Sequence, residues 1–351
     1  MIMMNDDSAV LRLPAEWEQQ DGILLAWPHE DTDWAYMIDE VTTCFTEIVK
    51  TIAEEEKVVV AAPDVEIPRR CLEDAGVDMD NVILVTVPTN DTWARDFGPI
   101  SLIGEDTVSF CDFKFNAWGL KFAADKDNLI TRRLFEKGVI RGGYCNCLGF
   151  VLEGGSIESD GAGTLLTTSE CLLSPNRNGE MSKEDIESYL IDRFNLKKVL
   201  WLDYGYLAGD DTDSHVDTLA RLAPDNTIIY VGCDDASDEH YESLQAMKRQ
   251  LMEMTTPCGD RFNLVELPMP DAVYDEDGLR LPATYANFLI TNRSVLMPSY
   301  GQPKKDFLAS QILKIAFPDR EIKPIDCRAL IKQHGSLHCV TMQLPEDTLP
   351  I

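Results

Sequence analysis

Basic residues are scarce in this chain. Lysine and arginine number 31 among 351 residues against 61 aspartates and glutamates, a formal net charge of −30. That balance argues against a nucleic-acid partner, because phosphate binding needs a basic face. It is compatible with a cationic small molecule drawn in by the protein's field, and equally with solubility alone. Long apolar runs are also missing. None approaches the ~20 uninterrupted apolar residues of a membrane span, so no membrane partner is expected. The opening "MIMMNDDSAV" has neither the basic patch nor the apolar stretch of a secretory signal, and a cytoplasmic location is expected. No Pro- or Gly-rich linker and no low-complexity tract divides the chain, so residues 1–351 are read as one domain. Nothing in the sequence sets the oligomeric state; a homo-oligomer is compatible with it.

Cysteine is not scarce, but ten spread through 351 residues do not form a disulfide framework. In a reducing compartment most of them are expected to serve as small buried hydrophobes. "CNC" at 145–147 lacks the spacing of a zinc pair, and no second pair matches it.

A weak repeat runs through the sequence. "TLLTTSECLL" (164–173), "TIIYVGCDD" (227–235) and "SVLMPSYGQP" (294–303) each lead into an amphipathic helix and then a strand: "KVLWL", "FNLVEL" and "EIKPID". A strand often precedes the unit, as in "TYANFLIT" (284–291). "GILLAWPHED" (22–31) and "TVSFCDFKFN" (107–116) open two further units that fit more loosely. Apolar residues recur at three and four in the helices, as at Leu244, Met247 and Leu251, and at Leu308, Ile312 and Ile315. Ser182 and Asp185 form a capping-box pattern. Five ββαβ-like units can close into a ring with loops gathered at one end of a central channel; an ordinary α/β sheet with right-handed crossovers fits the same pattern.

Three polar stretches lie between apolar strands: "TNDTWARDFGPI" (89–100), "LEGGSIESDGAG" (152–163) and "GDDTDSHVDTLARL" (209–222). Each alone reads as a solvated turn. The third is the least turn-like, since His215, Asp217, Leu219 and Arg221 alternate along a predicted strand. It offers hard oxygens and an imidazole to a metal, or acid–base chemistry with a carboxylate raising the His215 pKa. "HGSLHCVTMQLP" (334–345) adds Cys339. A nucleophilic cysteine needs a thiolate and a proton carrier. On the predicted strand His338 faces away from its neighbour Cys339, which leaves His215 as the better partner. Two carboxylates can hold a planar guanidinium, whose electron-poor carbon a thiolate can attack.

At these residues the chain resembles the guanidine-modifying superfamily, and within it the agmatine deiminases of the bacterial peptidylarginine-deiminase-like family. The resemblance spans nearly the whole chain, from "LPAEWEQQDGILLAWPHE" through "NDTWARDFGP", "FNAWG", "LEGGSIESDG" and "TDSHVD" to "HGSLHCVTMQLP". It implies a five-bladed pseudo-symmetric α/β propeller of ββαβ repeats, the pentein fold. By position it implies Cys339 as nucleophile, His215 as general acid/base and Glu153 as the acid supporting it. Asp96 and Asp217 match the carboxylates that grip the guanidinium, and Trp93 and Trp118 line the pocket. Asp211 stands where typical members place a Glu that receives the distal amine. The implied chemistry is a covalent amidino-cysteine intermediate, with agmatine becoming N-carbamoylputrescine on a route to putrescine, and with no metal or organic cofactor. The chain departs from the family pattern in its short "HGSL" segment and in Glu158, which replaces a common His. The alternatives are an arginine or peptidyl-arginine deiminase, which would need a cation for the substrate carboxylate, a metal hydrolase using "DDTDSHVD", and a non-catalytic scaffold. Alternation turns Arg95 away from Asp96, leaving no such cation within the motifs.

Overall fold

The computed structural model describes residues 10–350; residues 1–9 and Ile351, which the one-domain reading and the signal-peptide argument include, lie outside the described residues. Among the described residues sixteen strands form five small sheets. The first sheet takes β1 (Gln20–Ala26), β2 (Lys57–Ala62) and β3 (Val82–Thr86). The second takes β4 (Ile100–Ile103), β5 (Val108–Lys114) and β6 (Gly143–Val151), and the third β7 (Ile157–Ser159), β8 (Thr164–Thr168) and β9 (Lys198–Leu202). The fourth takes β10 (Ala220–Ala223), β11 (Thr227–Val231) and β12 (Asn263–Leu267). The fifth takes β13 (Leu289–Ile290), β14 (Ser294–Ser299) and β15 (Glu321–Asp326). The last strand, β16 (Met342–Pro345), returns to pair antiparallel with β1.

Sheets two to five share one plan: an antiparallel hairpin, a crossover, then a parallel third strand. The first sheet extends this plan with a fourth strand, β3, parallel to β2, and its antiparallel partner β16 comes from far along the chain. This is why a preceding strand is missing from its repeat in the sequence. The inner strands β2, β8, β11 and β14 are buried along nearly their whole length and read as largely apolar runs, as in "KVVVAA". The crossover helices bury one stripe each. Tyr241–Glu253 buries Leu244, Met247 and Leu251 as its periodicity predicts. Pro303–Ala316 does not follow its expected stripe: Ala309 and Leu313 are buried, whereas Leu308 and Ile315 are exposed. Lys183–Phe194 begins at the Ser182/Asp185 capping box and ends at Asn195 in the left-handed conformation. The apolar interior divides into three clusters distributed around the ring of sheets. No helix among the described residues is long and apolar enough to cross a membrane.

Two local expectations are corrected. Residues 215–218 are not a strand, because Val216–Thr218 makes a 3-10 turn and β10 begins only at Ala220. Residues 337–340 form a turn ahead of β16, so strand alternation does not govern where His338 and Cys339 point.

Candidate active site

The segment entering the first strand of each of five sheets supplies one polar side chain to a common centre. Asp96, Glu153, Asp217, Asn287 and Cys339 stand two to four residues ahead of β4, β7, β10, β13 and β16 respectively. Repetition of the unit therefore brings five sequence-distant residues to one end of the ring. Asn287 is the member that motif reading missed. Its signal is the repeat register itself, since it holds the equivalent place in the fifth unit.

Glycine lets these segments close on one another. A Cβ on Gly155 would fall 2.7 Å from His215 Nδ1, 2.8 Å from Asp96 Oδ1 and 3.0 Å from Asp217 Oδ2, closer than a side chain tolerates. The Gly155 amide instead donates to Asp96 Oδ1 at 3.0 Å, and Trp118 Nε1 donates to Asp96 Oδ2 at 2.9 Å. Trp118 sits in one left-handed turn, with φ of 52°, 54°, 87° and 71° at Ala117, Trp118, Gly119 and Leu120. Such backbone costs about 1–3 kcal/mol per strained residue. Asn116 braces it, accepting from Gly119 N and donating to Asn176 O. Asp213 and Ser214, also at positive φ, present His215.

Cys339 is buried, with Sγ 3.3 Å from Asn287 Nδ2 and 3.8 Å from Asp217 Oδ2. His338 is no spectator. Its Nδ1 lies 2.7 Å from Asp217 Oδ2 and its Nε2 2.8 Å from Glu16 Oε1. It holds the carboxylate beside the thiol rather than serving the thiol. Beneath it, buried Arg221 pairs with Glu158 and Glu16 and donates to the carbonyls of Ala286 and Phe288, which flank Asn287. Glu153 accepts both bonds from Arg177 Nε, at 2.9 and 3.0 Å. It lies near His215 without bonding it. Arg95 does face away from Asp96, but from a short helix rather than a strand, and it reaches Glu16 at 3.0 Å and Gln343.

The electrostatics differ from those expected of an activated cysteine. Burial, reinforced by Asp217 and Asp96, pushes the Cys339 thiol well up. Burial drives His215 down to about 3, against the attraction of Asp217; the expectation that a neighbouring carboxylate would raise it is overturned, because desolvation wins. Burial and Asp217 raise Asp96 well above the usual carboxylate range. Burial alone would raise Asp217 too, but the His338 hydrogen bond and the charges of His338, His215 and Arg221 hold it down. Both ring nitrogens of His215 and Asp217 Oδ1 are buried without a hydrogen-bond partner. Buried polar groups are rarely left so, and this set is shaped for a donor-rich planar cation.

From this centre a pocket of about 620 Å³, open mouth included, leads outward. Trp93, Trp118 and Phe122 form its apolar wall, with the two tryptophan rings 6.3 Å apart edge to face. Asp33, Asp91, Asp96, Asp211 and His334 line it, with no Lys or Arg among the described residues. Asp91, which motif reading did not single out, accepts the indole N–H of both Trp34 and Trp93. Lys121 stands nearby but is tied to Asp213 Oδ1 at 2.8 Å and to the Asp211 carbonyl.

Five sheets of one plan around a cysteine, a histidine and paired aspartates define a guanidine-modifying α/β propeller. The sequence matches the Porphyromonas-type peptidyl-arginine deiminase family over residues 12–345, and the chain belongs to that family. It is 34% identical over 359 residues to the agmatine deiminase of Pseudomonas aeruginosa (strain LESB58), covering 95% of each chain. Among solved structures, a cysteine-to-serine variant of C. jejuni agmatine deiminase with substrate bound is 38% identical, with a TM-score of 0.90 and coverage of 99% of this chain and 100% of that one. A Porphyromonas gingivalis protein named as a candidate arginine deiminase is 49% identical, with a TM-score of 0.91 and coverage of 97% and 99%.

Proposed function

We propose that the protein is an agmatine deiminase. The observation that carries this reading is a pocket lined by four aspartates, with no Lys or Arg among the described residues, that ends on a buried cysteine. Agmatine is a guanidinium and an ammonium joined by four methylenes, so it offers a cation to each end and an apolar stem to the tryptophans. Asp96 and Asp217 are assigned to the guanidinium, and Asp211 to the ammonium.

The chemistry follows from the electrostatics. In the empty site the thiol stays protonated among carboxylates. The arriving guanidinium supplies the positive charge that favours its ionisation. Sulfur bonds to the guanidinium carbon as its proton passes to neutral His215. His215 returns that proton to one nitrogen, which leaves as ammonia and gives an S-amidino cation. Water then adds with His215 taking one of its protons, the C–S bond breaks as the remaining hydroxyl proton passes to the departing sulfur, His215 gives its proton up to solvent, where the released ammonia takes it as ammonium, and N-carbamoylputrescine departs on the route to putrescine. The reading includes one catalytic domain over 1–351, a cytoplasmic location and no cofactor.

Agmatine is expected to exceed arginine by at least ~100-fold in kcat/KM, roughly 2.7 kcal/mol, because an α-carboxylate would meet Asp211. Parallel assays on agmatine, arginine and an arginine-containing peptide decide it. Comparable rates on arginine would sink the agmatine assignment, and Asp211→Ala should then improve arginine turnover. A metal reading has one observation behind it, since Glu153, Cys171 and His215 can bring one ligand atom each within 4.8 Å of the others. Arg177 already occupies Glu153, so dialysis against EDTA is expected to leave the rate unchanged. A loss restored by one divalent ion would favour the metal.

A further inference from the structure

The second sheet gathers three cysteines that the proposed chemistry does not use. Cys111 on β5 is the register partner of Cys145 on β6, and Cys147 follows two residues on, on the same face of the strand. Their three sulfurs lie within 4.8 Å of one another, with Cys145 and Cys147 Sγ 3.7 Å apart. Fold pairing thus supplies the third ligand that the "CNC" spacing lacked. Cys111 and Cys147 are buried and Cys145 is half-buried, which leaves an approach from solvent on one side. Arg193, on the helix Lys183–Phe194, donates from Nη1 to Cys145 Sγ at 3.0 Å.

We propose that Cys111, Cys145 and Cys147 form a three-thiolate site for a soft d10 ion, with Cu(I) the fitting one. Three sulfurs around a metal at ~2.3 Å stand ~4 Å apart when trigonal, so the observed spacing needs little adjustment. Thiolate ligands select soft ions. Zn(II) would want a fourth protein ligand for a closed tetrahedral site, and the cluster holds no imidazole or carboxylate. Three thiolates and Cu(I) carry −2, which Arg193 reduces to −1. Each sulfur still protonated releases its proton to solvent as its metal bond forms, and copper keeps its oxidation state. Ordinary hydrophobic packing of cysteine accounts for the burial but not for an arginine aimed at one sulfur.

The test titrates Cu(I) into the full chain, reduced and under argon, against a chromophoric Cu(I) chelator. Every arm carries Cys339→Ala so that the active-site thiol cannot contribute. One Cu(I) per chain with a sulfur-only shell by X-ray absorption is expected. Cys145→Ser should weaken binding at least ~100-fold, and Arg193→Gln about 10-fold. If Cys145→Ser does not fold, judged by circular dichroism, Cys147→Ser answers the same question. Unchanged affinity in the cysteine variant, nitrogen or oxygen in the shell, or preference for Zn(II) over Cu(I) would overturn the proposal.

Discussion

Cys339 differs from the other nine cysteines by its neighbours, not by its burial. Its sulfur meets an amide and a carboxylate at the end of a pocket. Cys339→Ala is expected to lower turnover by several orders of magnitude with the fold intact, and a haloacetamidine should label this residue ahead of the rest; an active alanine variant contradicts the covalent route. His215 gives a second residue-scale prediction. Its folded pKa of about 3 lies below the ordinary 6.5. Between those values the unfolded chain binds a proton that the folded chain refuses, so this group makes stability fall as pH falls. Denaturant unfolding of His215→Gln and wild type should therefore diverge, the variant losing up to about 2 kcal/mol less between about pH 7 and 5. Equal losses would show that His215 is not kept neutral by burial. The residue that sequence misjudged is His338. Alternation assumed a strand, but the chain turns there, and the imidazole bridges Asp217 and Glu16.

At the scale of elements, the repeat was legible because buried inner strands leave apolar runs and amphipathic helices leave a periodic trace. The crossovers after β8, β11 and β14 each hold a helix where the sequence pattern marks one, although the helix after β14 buries a different stripe. What the pattern could not carry was anything set by the backbone at single positions. The left-handed turn at Ala117–Leu120 breaks the expectation for alanine, tryptophan and leucine alike, and no propensity announces it. Asn116→Ala removes its brace and is expected to cost about 1 kcal/mol, with KM for agmatine rising as Trp118 loses its place; an unchanged KM would mean that the turn holds itself. Gly335 shows the same kind of hidden constraint. A Cβ there would come within 2.1 Å of the Trp93 ring, so Gly335→Ala should displace that wall and raise KM more than it lowers kcat, as steady-state kinetics would report. Asn287 stayed hidden for another reason: "TYANFLIT" reads as one strand, yet only Leu289 and Ile290 pair, and the residues before them reach the centre.

Across the whole molecule, the ring is fastened by a single pairing between the two ends of the described chain, with Gln20 opposite Pro345 and Leu24 opposite Met342. Deleting residues from Met342 onward is expected to remove cooperative unfolding and activity together, measured by calorimetry and assay; a truncated chain that melts like the full one would show the closure to be dispensable. Contacts this distant in sequence slow folding. The same pairing has a consequence for synthesis. Cys339 and the strand that fastens the ring come after the other four sheets in the order of synthesis. A chain on which translation has halted before Cys339 carries every carboxylate of the pocket but not the sulfur at its end.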